Sequence, residues 1–190
     1  MHITAITTMV LMTTAAHGKS GDDAREPNLT VCMELIATRR VTIGQAQEIA
    51  SRMFAPVGVI INWRGGFPGC PAQAIQVSIS DRTPENVRPG ALAYALPYQG
   101  VDVQLFYDRI AGAGDAVLVP HLLAHVLVHE ITHILQKSSR HSAQGIMKAG
   151  WGPDDYVQMK WKPLAFTAED IDLIRDGLAA RAPRAMVAPR

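Results

Sequence analysis

Residues His129-Glu130-Ile131-Thr132-His133 spell H-E-x-x-H within an apolar run from Leu118 to Leu135. On a helix, positions four apart lie one above the other on the same face. Two imidazoles placed this way can each offer a nitrogen to one Zn²⁺ at about 2.0–2.1 Å. Glu130 follows the first histidine and can take a proton from a metal-bound water as general base. The chemistry suited to these residue types at this spacing is metal-assisted hydrolysis.

Two histidines do not complete such a site, because catalytic zinc usually has three protein ligands and leaves one position to water. The best-placed downstream residue is His141, in Arg140-His141-Ser142, with Gly145-Ile146-Met147 following four residues on. Carboxylate alternatives are Asp154, Asp155 and Glu169. The two aspartates follow Pro153 and read as turn residues. Glu169 falls in the first turn of an expected helix, where a carboxylate favours the helix dipole in any case. His141 is preferred on ligand type and spacing. The remaining reading of a bare H-E-x-x-H is a helix with two histidines and no metal.

The series H-E-x-x-H, His141, Gly145-Ile146-Met147 resembles the metzincin clan of zinc metalloproteases, whose signature is H-E-x-x-H-x-x-G-x-x-H followed by a methionine in a tight turn. The resemblance implies that His129, His133 and His141 are zinc ligands, Glu130 the base and Met147 the turn methionine. It covers residues 129–147 closely and the preceding strand order loosely. The chain departs from the clan at three positions. His141 lies eight residues after His133, two more than in the clan pattern. Gln136 stands where the clan has glycine, so the motif helix is expected to continue for part of a turn and reverse at Ser138-Ser139-Arg140. Ala149 stands where the clan has a zinc-side tyrosine, so no such ligand is carried over. Two extra residues cost little in loop-closure entropy. A bacterial group of zincin-like proteins with this longer insert and a His-Ser-x-x-Gly-Ile-Met ending is similar.

The elements that must hold these residues are readable from periodicity and turn signals. Strands are expected at Leu29–Thr38, Val59–Arg64, Ala74–Ser80, Ala91–Tyr98 and Val101–Ile110. Thr42 reads as the N-cap of a helix to Phe54. The motif helix runs from about Val119 to Lys137, with Pro120 in its first turn. Residues 138–163 read as irregular. Thr167 and Asp170 form a capping-box pattern ahead of a last helix to about Arg181. The expected fold is α+β and zincin-like: a mixed twisted sheet of four to five strands on two helices, plus the C-terminal helix. One of the strands at Ala91–Tyr98 or Val101–Ile110 is expected to form the sheet edge over the cleft, where a peptide could add by β-augmentation.

Length fits a single catalytic domain over residues 29–182, with residues 19–28 a polar lead-in and 183–190 a tail. Ile3 to Ala16 carry no charge, and residues 1–18 read as a secretory signal peptide too short for a comfortable membrane span. This implies a secreted or periplasmic protein. Cys32 and Cys70 are then the available disulfide. Two buried free thiols, or a thiolate that masks a metal, are the alternatives. Charge is balanced, with 18 Lys plus Arg against 17 Asp plus Glu, which excludes the basic surface of a nucleic-acid binder. Hydrophobic content of 48% excludes wholesale disorder.

His121 and His125 extend the four-residue spacing of the motif and read as packed or solvated residues. Trp63, Trp151 and Trp161 read as packing residues, and Tyr156, from its place in the loop, as a candidate oxyanion stabiliser. The functional expectation is a monomeric zinc endopeptidase acting on peptide or protein substrates, with no nucleic-acid partner and no stable membrane insertion. The alternatives are a non-catalytic binding module on a degenerate zincin scaffold and a gluzincin-like hydrolase with a carboxylate third ligand.

Overall fold

Ile75, Val77 and Ile79 are buried, while Gln76, Ser78 and Ser80 between them are half-buried. This alternation turns one face of β3 (Ile75–Ser80) to the core. A computed structural model describes residues 29–181 apart from Leu35 and Gln99. The expected signal peptide, lead-in and tail lie outside the described residues. Around β3 run β1 (Leu29–Met33), β2 (Ile61–Gly65), β4 (Ala93–Ala95) and β5 (Asp102–Phe106), in the order β2-β1-β3-β5-β4. β4 pairs antiparallel to β5, and the other three pairings are parallel. β2 and β4 are therefore the two edge strands, and β4 is the one that lies against α3.

The core face of the sheet is covered by α1 (Arg40–Phe54) and α3 (Leu118–Gln136), which also pack on each other. α1 contributes Ile43, Ala46, Ile49, Ala50, Met53 and Phe54, the stripe set by its 3.6-residue period. In α3, 15 of 19 residues are buried, so it is apolar nearly all round because it forms the centre of the fold. α5 (Ala168–Arg181) packs against the end of α3 at Gly177, where a side chain would collide with the Leu135 carbonyl. The α+β class with a mixed sheet agrees with the sequence reading.

Several boundaries differ from expectation. β1 stops at Met33, and a single 3-10 turn, Ala37–Arg39, leads into α1. The helix therefore starts ahead of Thr42, which is not its cap, and no side chain caps it. The strand expected over Val101–Ile110 ends at Phe106, opposite Ser80, the last residue of its β3 partner. There the Asp108 carboxylate accepts from Thr83 N and Oγ1, and the chain turns into α2 (Tyr107–Gly112). Within the stretch read as irregular lies α4 (Pro153–Met159). Pro153 occupies its first position, and the Asp155 carboxylate accepts from Gly152 N at 2.8 Å. Those two start signals were present in the sequence.

Cys32 and Cys70 form a disulfide. Cys32 points to the sheet face opposite Val31 and Met33, and the β2–β3 connection carries Cys70 across that face. The bridge spans 38 residues, a loop whose closure in the unfolded chain corresponds to about 4 kcal/mol in the chain-entropy account.

Candidate metal centre

α3 presents His129 and His133 on one face, both buried. His129 Nδ1 lies 2.9 Å from the Ile146 carbonyl, and His133 Nδ1 2.8 Å from the Ser138 carbonyl. A carbonyl only accepts, so each Nδ1 carries the proton and each Nε2 is left with a lone pair. The two Nε2 atoms face each other at 3.0 Å. Two lone pairs this close repel unless a cation lies between them. Two Zn–N bonds at a tetrahedral angle would span about 3.3 Å, so the donor set fits a zinc ion closely. Burial pushes His129 down to about 3, with His133 beside it adding to the effect, and burial also lowers His133. Both are thus neutral, the ligating form.

His141 completes the cluster. Its ring stacks on His129 at 5.3 Å between centroids and meets His133 edge-on at 5.0 Å. The ligating atoms of the three residues lie within 4.8 Å of one another. The glycine-free exit from α3 makes this possible. Lys137 takes the left-handed conformation (φ 47°, ψ 44°), and Ser138 N donates back to the His133 carbonyl at 3.2 Å. The helix thus ends sharply in a Schellman motif one residue past Gln136, earlier than the expected reversal at Ser138-Ser139-Arg140.

The Gly145-Ile146-Met147 turn lies beneath His129 through the Ile146 carbonyl. Met147 is fully buried, and its carbonyl accepts from Ser142 N at 2.7 Å. Gly145 has φ +76°, and a Cβ there would collide with the Ala165 carbonyl. Both constraints demand glycine.

Glu130 is buried at the foot of a cleft of about 600 Å³. Burial raises its carboxyl to about 8, and a hydrogen bond from the Ala95 backbone N–H opposes the rise. One wall of the cleft is the segment leading into and through β4, including Arg88, Leu92 and Tyr94; the other includes Trp151 and Tyr156. Trp151 stands edge-on to His129 at 5.5 Å.

The carboxylate alternatives are engaged elsewhere or outside the cluster. Asp155 pairs with Lys148 at 2.5 Å, Glu169 pairs with Arg140 at 3.2 Å, and Asp154 is exposed. His125 is packed: Nδ1 donates to the His121 carbonyl at 2.7 Å and Nε2 accepts from Leu164 N at 3.1 Å. Trp63 packs and donates to Ser51 Oγ, but Trp161 is 85% exposed and is not a packing residue. Sequence reasoning missed two contributors, Ala95 and Asp170. Asp170 was legible only as a helix cap, since its other partners are distant in sequence.

At the level of sequence, no family model and no curated protein matches the chain. At the level of structure, the solved proteins that share its architecture include two archaemetzincins. Archaemetzincin from Methanopyrus kandleri aligns with TM-score 0.54 and 12% identity, over 80% of this chain and 96% of its own. Archaemetzincin from Archaeoglobus fulgidus, solved with malonate, aligns with TM-score 0.55 and 14% identity, over 77% of this chain and 100% of its own. The chain has the archaemetzincin fold. In the archaemetzincin-like frame of this chain, the cluster of three histidines lies between α3 and the loop that follows it.

Proposed function

We propose that the protein is a zinc-dependent peptidase. The observation that carries this reading is the convergence of His129, His133 and His141 beside Glu130, a carboxylate beside the cluster that no metal site needs for structure alone. The three histidines would hold the ion. When bound, it polarises a carbonyl and lowers the pKa of a water. Glu130 would take the proton of the attacking water and deliver it to the leaving amine. A nearby cation also favours the ionised carboxylate against the burial that raises it.

The edge strand supports a peptide as substrate. Phe106 N donates to the Leu92 carbonyl, and Tyr94 pairs with Gln104, so the alternate residues Ala93 and Ala95 direct their main-chain groups away from β5. An extended peptide can add there through the main-chain groups of Ala93 and the carbonyl of Ala95, the Ala95 N–H being bonded to Glu130. Met147 serves as the turn residue under the metal. Export to an oxidising compartment is supported by the Cys32–Cys70 bridge.

The test is zinc content and peptide hydrolysis of the full chain beside Glu130→Gln. One zinc per chain in both proteins, with hydrolysis reduced by roughly 10²–10⁴-fold in the variant, is expected. Equal zinc and equal hydrolysis would remove Glu130 from its role. Zinc without any hydrolysis in the wild type would favour a binding module.

A further inference from the structure

The three histidines are not held alike. His129 and His133 each donate Nδ1–H to a carbonyl. Among the described residues no hydrogen bond reaches the His141 ring, and its side chain is exposed. Metal-ligating imidazoles usually have such a partner to fix ring orientation. His141 lacks one, so apart from its ring contacts with His129 and His133 its aim is set by the backbone on either side.

Both flanking residues are anchored to one side chain. Arg140 Nη2 donates to Asp170 Oδ1 at 2.6 Å. Ser142 Oγ lies 2.8 Å from Oδ1 and 3.0 Å from Oδ2 of the same carboxylate. Asp170 has no solvent exposure. It is fixed in turn by the capping box of α5, with Thr167 N at 3.0 Å and Thr167 Oγ1 at 2.6 Å from Oδ2. Gln136, at the end of α3, donates Nε2 to the Asp170 carbonyl at 3.2 Å. One residue therefore ties together the end of the motif helix, both neighbours of His141 and the start of α5. A buried carboxylate with a cation and several hydroxyl and amide donors is rigidly determined, because losing any partner leaves charge unsatisfied in a medium of low polarity.

We propose that Asp170 is the positioning residue for the third metal ligand: it clamps Arg140 and Ser142 and so aims His141 at His129 and His133. The inference rests on the metal-centre reading above. Without the clamp two ligands stay on the helix, while the third is held only by the remaining loop contacts, Ser142 N to the Met147 carbonyl and Arg140 to Glu169.

The test measures zinc affinity of the full chain by competition with a chromogenic chelator, and the visible spectrum of the Co²⁺-loaded protein. The variants are Asp170→Asn, Ser142→Ala and Thr167→Ala, with Asp170→Asn and Ser142→Ala also made in a His141→Ala background. Asn at 170 would present an N–H₂ to residues that themselves donate. Asp170→Asn and Ser142→Ala are expected to weaken zinc binding by about 10–100-fold and to alter the Co²⁺ spectrum. Thr167→Ala removes the helix cap and also one donor to Asp170 Oδ2, and is expected to lower thermal stability and to weaken zinc binding less than Asp170→Asn does. Where His141 is already absent, the Asp170 and Ser142 substitutions are expected to change affinity by less than about twofold, the level of independent sites. Unchanged affinity in folded Asp170→Asn or Ser142→Ala overturns the proposal. So does an equal loss with and without His141, which would signal general loosening. Should Asp170→Asn fail to fold, the Ser142→Ala cycle decides alone. A wild type that binds no zinc overturns the metal centre and this inference with it. An intact cycle in a protein without hydrolytic activity leaves the inference standing and removes only the peptidase reading.

Discussion

The backbone N–H of Ala95, in the edge strand, donates to the buried carboxylate of Glu130, on the central helix. The strand that would receive a peptide is thereby joined to the group that would move the proton. The bond stabilises the charged carboxylate against burial, which still lifts the pKa to about 8 with the bond in place. Glu130 must be ionised to act as base, so activity falls as pH drops through its pKa. Ala95→Pro removes the donor. Because the Ala95 N–H points away from β5, the ladder is preserved. The acidic limb of the kcat/KM profile should move to higher pH. An unmoved limb in an active variant would mean the bond does not control the base.

Lys137 is the one described non-glycine residue with positive φ. An L-residue there costs about 1 kcal/mol or more, and glycine avoids the clash at a smaller entropic cost. Lys137→Gly should therefore raise stability by roughly 0.5–1 kcal/mol, read from urea unfolding, with zinc content unchanged. A loss of stability would show that the Lys137 side chain contributes more than its backbone costs.

His125 gives a pH dependence whose sign can be worked out. Burial holds it near 4, against 6.5 when unfolded. Above pH 6.5 it is neutral in both states and costs nothing. As pH falls from 6.5 toward 4 only the unfolded chain gains the proton, so stability declines, levelling off below 4 at roughly 3 kcal/mol. His125→Gln keeps an acceptor for Leu164 N and removes the titration. Unfolding free energies at pH 7.5 and 5 should differ less in this variant than in the wild type. An equal difference would assign the acid sensitivity to other groups.

What the sequence carried by itself was local. The four-residue spacing placed His129 and His133 on one helix face, with Glu130 beside them. The Thr167–Asp170 pattern marked the start of α5, and alternation marked β3. Each signal is written in residues within a turn or two of one another, where backbone geometry alone fixes their relation. The start of α4 was written the same way, in Pro153 and Asp155, but was overshadowed by the glycines around it. Tertiary structure decided the rest. It brought His141 over the helix by a left-handed turn at Lys137, and neither the loop length nor Gln136 revealed that turn. It made β4 an edge strand and turned Ala95 toward Glu130. It also gave Asp170 two duties where the sequence showed only one. A helix cap needs a partner three residues away. A buried carboxylate must be neutralised by whatever the fold packs around it, here Arg140 and Ser142 from a distant loop. Local order follows from chain stereochemistry, whereas the pairing of buried charge is settled only when distant segments are brought out of water together.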